Sequence, residues 1–103
     1  MSHPVRLTNS EIEAVKSLAA KWFGKKAIVR LFGSRARDGA LGGDIDLHIL
    51  AEADELVDLQ RELAFSVELQ EIIGEQKLDV VVRAPNEPRM PIDRVAMENG
   101  VLL

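Results

Sequence analysis

The sequence contains no cysteine, which excludes disulfides, thiolate catalysis and cysteine-bound zinc. No apolar run approaches the length needed to cross a bilayer, and the N-terminal stretch lacks the basic-then-apolar order of a secretory signal. The expectation is a cytoplasmic protein without membrane contact. Internal repeats, low-complexity tracts and linker-like segments are also missing, and 103 residues suffice for one domain spanning 1–103. A domain of this size buries roughly 60 to 70% of its unfolded surface, enough for a modest core but not for two lobes closing over a substrate. The formal charge of −4 argues against a polyanion-binding surface, so direct nucleic-acid binding is not expected. It does not forbid a nucleotide, because a metal site brings its own positive charge. What remains, 47% hydrophobic and 29% charged residues at a mean hydropathy of zero, is the composition of a globular chain.

The elements follow from periodicity and punctuation. Thr8-Asn9-Ser10-Glu11 fits a capping box, and Ile12, Val15, Leu18, Ala19 and Trp22 repeat at helical spacing until Gly24. This predicts a helix from Asn9 to Phe23. An apolar run, Ala27 to Phe32, predicts a first strand ending at Gly33-Ser34, and Ile45 to Leu50 a second. A long helix is expected from Asp54 to Ile73, closed by Gly74, with Leu56, Leu59, Leu63, Val67 and Phe65 on one broad apolar face. Leu78 to Val82 is a third strand. Pro85, Pro88 and Pro91 stiffen the connection to a last helix, Ile92 to Glu98, which leaves Val101-Leu102-Leu103 as an apolar tail.

Chemistry concentrates around the first two strands. Gly33-Ser34 supplies a turn whose backbone N–H groups and hydroxyl can wrap a phosphate, although alone it reads equally as a plain turn. In the strand that follows, side chains alternate, so Asp44 and Asp46 share one face while Ile45, Leu47 and Ile49 take the other. Two carboxylates roughly 6 to 7 Å apart on one face can share hard divalent cations. Asp79 is a third carboxylate, and a charge within a run as apolar as 78–82 is costly unless paired or metal-bound. Arg35 and Arg37 offer bidentate guanidinium clamps for phosphate, or else form a solvated turn. His48 shares the facing of the two aspartates; a lone strand histidine is more often structural than catalytic.

Gly33-Ser34, nine intervening positions, then Asp44-Ile45-Asp46 resembles the signature of the DNA polymerase β-type nucleotidyltransferase superfamily. Within it, "GSRAR" and "DIDL" in so short a chain resemble the minimal nucleotidyltransferases, partners of HEPN-domain toxins in prokaryotic toxin-antitoxin pairs. The resemblance implies an α/β (α+β) fold: a small mixed sheet with helices mainly on one face and the carboxylates on the other. It further implies transfer of AMP from ATP to a hydroxyl, with two magnesium ions held by Asp44, Asp46 and Asp79 and the triphosphate gripped by Gly33, Ser34, Arg35 and Arg37. The implied acceptor is a tyrosine of a HEPN ribonuclease toxin, the two chains forming a hetero-oligomer. Binding of the toxin without catalysis and transfer to a small-molecule hydroxyl are the alternatives. The sequence departs from the family pattern at Arg37-Asp38-Gly39, where relatives usually place glycine directly after the second arginine, and at Gly43, where serine or alanine is usual. The Gly-Ser pair and all three carboxylates are kept, which favours an active enzyme.

Overall fold

A computed structural model describes residues 7–33, 45–74 and 76–103. In chain order these form α1 (Asn9–Phe23), β1 (Ile28–Phe32), β2 (Ile45–Leu50), a short 3-10 turn (Asp54–Leu56), α2 (Leu59–Ile73), β3 (Leu78–Arg83), α3 (Pro91–Asn99) and β4 (Val101–Leu102). The strands lie in one sheet in the order β3-β2-β1-β4. β1 runs antiparallel to β2 and β4, and β2 runs parallel to β3, so the sheet is mixed. A parallel neighbour requires a crossover, and α2 lies in the chain between β2 and β3 to supply it. The mixed α/β architecture expected from the sequence is the one observed.

α1 begins where its cap dictates: Thr8 Oγ1 accepts from Glu11 N at 3.1 Å, and Glu11 Oε1 accepts from Thr8 N at 2.9 Å. Its stripe of Ala14, Val15, Leu18, Ala19 and Phe23 is buried. That stripe meets the sheet face made by Val29 and Leu31 of β1 and by Ile45, Leu47 and Ile49 of β2. Phe65 and Leu69 of α2 complete the core, with the rings of Phe23 and Phe65 tilted at 54° and 5.5 Å apart. On the outer surface, Glu68 ties the two helices together by accepting from Trp22 Nε1 at 2.9 Å and Lys21 Nζ at 3.0 Å.

Two expectations about the second helix are corrected. It starts at Leu59 rather than Asp54, because Asp58 is extended and caps the helix by accepting Arg61 N at 2.8 Å. Its buried face is also different. Phe65 and Leu69 point inward, while Leu59, Leu63 and Val67 are 69%, 56% and 57% exposed. Leu63 and Phe65 are about 200° apart around a helix, so one face cannot hold both. The larger ring wins because Phe23 offers it a partner.

The opposite sheet face follows from the register. Phe32 pairs with Asp46, Arg30 with His48, Asp46 with Asp79 and Leu50 with Arg83, so these residues share one facing. α3 packs on this face, whereas α1 and α2 cover the other. The C-terminal residues are not a free apolar tail: Val101 and Leu102 pair with β1, and Leu103 N donates to Val29 O at 3.0 Å.

Candidate active site

Asp46 and Asp79 are register partners on parallel strands, which places them side by side about 4.8 Å apart in the pairing direction. Asp46 is half-buried and Asp79 is exposed. Gly33 closes the arrangement at the end of β1. Its φ is +76°, in the left-handed region, and a Cβ built on it would run into Asp46 Oδ2. Backbone conformation and the carboxylate therefore both require glycine there, and Gly33 itself is pressed against Asp46.

Three of the seven expected site residues, Gly33, Asp46 and Asp79, are thus brought together. The other four, Ser34, Arg35, Arg37 and Asp44, lie outside the described residues. Among the described residues no group of three histidines or carboxylates is placed to hold a metal ion. The pair Asp46 and Asp79 nevertheless has the all-oxygen donor chemistry that magnesium prefers.

Further along the same face the sheet is closed by a buried polar network that sequence reasoning missed. Asp93 of α3, 2% exposed, accepts from His48 Nε2 at 2.8 Å and from the backbone N of Met90 at 2.7 Å. Arg83 Nε lies 3.1 and 3.2 Å from its two oxygens. Burial pushes the Asp93 carboxyl upward, but the His48 hydrogen bond, the Met90 N–H and the Arg83 charge outweigh it and hold the group below its ordinary value. A carboxylate only accepts, so His48 carries its proton on Nε2. His48 is fully buried, the structural role expected of it. Asp93 joins β2, β3 and α3 and fixes the helix over His48, beyond the two aspartates. An acidic residue near a helix start was a legible capping signal, but its bond to a histidine 45 residues away was not.

A family profile described as a nucleotidyltransferase domain matches residues 12–103. The chain belongs to this nucleotidyltransferase family, and its mixed sheet with flanking helices agrees with a polymerase β-like domain of that class. Comparison with curated proteins finds no match. Nucleotidyl transfer, with a nucleoside triphosphate as donor, is the reaction that membership carries. No described helix is long and apolar enough to cross a membrane.

Proposed function

We propose that the chain transfers AMP from ATP to a tyrosine hydroxyl of a HEPN-domain partner in the cytoplasm, with Asp44, Asp46 and Asp79 holding two magnesium ions. The observation that carries this reading is the side-by-side placement of Asp46 and Asp79 with Gly33 pressed against Asp46. When bound, magnesium neutralises the triphosphate and braces the departing pyrophosphate. Gly33 N–H and the Ser34 hydroxyl grip the β- and γ-phosphates, and Arg35 and Arg37 clamp their oxygens. The acceptor oxygen forms a bond to the α-phosphorus as the bond from that phosphorus to the bridging oxygen breaks, releasing pyrophosphate. Asp79, the more exposed carboxylate, orients the hydroxyl and takes its proton.

The acceptor comes from outside the domain. The described residues form no second lobe for it, and α2 presents Leu59, Leu63 and Val67 to solvent at successive helical turns. A row of exposed apolar side chains of this kind marks a protein contact. The ATP preference and the HEPN partner rest on the family resemblance. Co-expression with the neighbouring gene's product, followed by mass spectrometry, tests the reading. The expected result is a partner carrying one added nucleoside monophosphate on tyrosine, absent with Asp46→Asn. A partner that is bound and silenced yet unmodified contradicts transfer and supports neutralisation by binding. A chain without a protein partner that modifies a small hydroxyl compound contradicts the choice of acceptor.

A further inference from the structure

Away from the aspartates, Arg94 of α3 and Arg89 just before it are two cations that no carboxylate answers among the described residues. The Arg94 guanidinium forms no hydrogen bond or ion pair among the described residues, although Glu98 stands one helical turn away. Among the described residues the Arg89 guanidinium makes one polar contact, 3.6 Å to Met97 Sδ. Arg61 and Arg83, by contrast, are locked to Asp58 and Asp93. The two unanswered guanidiniums line the same cleft of about 470 Å³, whose remaining wall includes Met90 and Val95, 51% and 43% exposed. A second concavity beside it again contains both arginines, with Met97. Exposed charges on a chain of net charge −4 have many potential partners, so two guanidiniums without a carboxylate among the described residues in an apolar-walled cleft call for an outside anion.

We propose that this face of α3 docks a short acidic segment of another protein, with its carboxylates on Arg89 and Arg94 and its apolar side chains against Met90, Val95 and Met97. Charge complementarity selects the anion. The apolar wall selects a peptide over a nucleic acid, because methionine and valine reward hydrocarbon side chains and gain nothing from a phosphate backbone. The negative net charge further disfavours a long polyanion, for which two guanidiniums are a small footprint. Binding here needs neither ATP nor transfer.

The test is fluorescence anisotropy on the full chain without nucleotide, using a labelled peptide of mixed glutamate and leucine, its lysine-for-glutamate counterpart, and a single-stranded oligothymidylate. The acidic peptide should bind, weaken with salt, and lose about tenfold or more in affinity with Arg89→Glu/Arg94→Glu, both side chains being exposed so that the fold is kept, as circular dichroism would show. Met90→Ser/Val95→Ser should weaken it severalfold while leaving the salt dependence unchanged. Equal affinity in the charge-reversed variant, equal binding of the lysine peptide, or no binding overturns the proposal. Tighter capture of the oligothymidylate through the same arginines overturns it in favour of a nucleic-acid surface.

Discussion

Replacing Gly33 with alanine separates the backbone requirement of the turn from its contact with Asp46. A non-glycine residue in the left-handed region costs about 1–2 kcal/mol. Reduced freedom of the unfolded chain returns about 0.4–1 kcal/mol. The new methyl would also collide with Asp46 Oδ2, and relieving that overlap moves the carboxylate or the strand end. Overpacking of this kind adds about 1–3 kcal/mol. Gly74 is the control: its φ and ψ of +90° and 169° are also reserved for glycine, but nothing lies within 4 Å of an added Cβ. Alanine there costs about 1–3 kcal/mol from conformation alone. Both variants should therefore lose several degrees of melting temperature, at about 4–8 °C per kcal/mol for a domain of this size. Only Gly33→Ala should also lose magnesium-dependent binding of a non-hydrolysable ATP analogue, because only it displaces Asp46. Urea denaturation and calorimetric titration of the two proteins make the comparison. Wild-type binding by a destabilised Gly33→Ala protein would refute the link between Gly33 and the carboxylate.

Other outcomes follow from the proposed site and from the described fold. Ser34→Ala should weaken ATP binding by about 0.5–1.5 kcal/mol, the usual worth of one hydrogen bond, whereas Asp79→Asn should mainly slow the chemical step; titration and single-turnover rates distinguish the two. Asp93→Ala should cost about 3–5 kcal/mol, because it strips Arg83 and His48 of their shared acceptor in a buried setting. Since folding holds the Asp93 carboxyl below its ordinary value, its contribution is complete above the ordinary carboxylate range and is lost as pH falls through the folded value; stability curves should therefore show a shallower acid limb in Asp93→Asn. Phe65→Ala should cost about 3–5 kcal/mol, while Leu63→Ser should stay within about 0.5 kcal/mol in the isolated chain, as chemical denaturation of both would show.

The parts of the molecule legible in the sequence are those governed by local rules. The Thr8 to Glu11 box set the start of α1, and strict alternation from Ile45 to Leu50 assigned Ile45, Leu47 and Ile49 to the core and Asp46 to the other face. The same alternation set Asp79 outward from β3, but its register with Asp46 needed the parallel pairing that only the fold supplies. The face of α2 was misread because the helix carries two apolar stripes, and the choice between them was made by Phe23, a residue of another helix. The placement of α3 on the aspartate face was hidden for a similar reason: it depends on Asp93 meeting His48 and Arg83, each from a different strand. Nothing in the spacing of these three residues announces that they meet.

The most direct test of the account is whether a nucleoside triphosphate is held at Asp46 and Asp79 through magnesium. Isothermal titration with a non-hydrolysable ATP analogue, with and without magnesium, on the wild type and on Asp46→Asn gives the answer. The account predicts binding that requires magnesium in the wild type and is lost in Asp46→Asn, while circular dichroism shows the variant still folded. Equal binding without magnesium, or undiminished binding by Asp46→Asn, would contradict it.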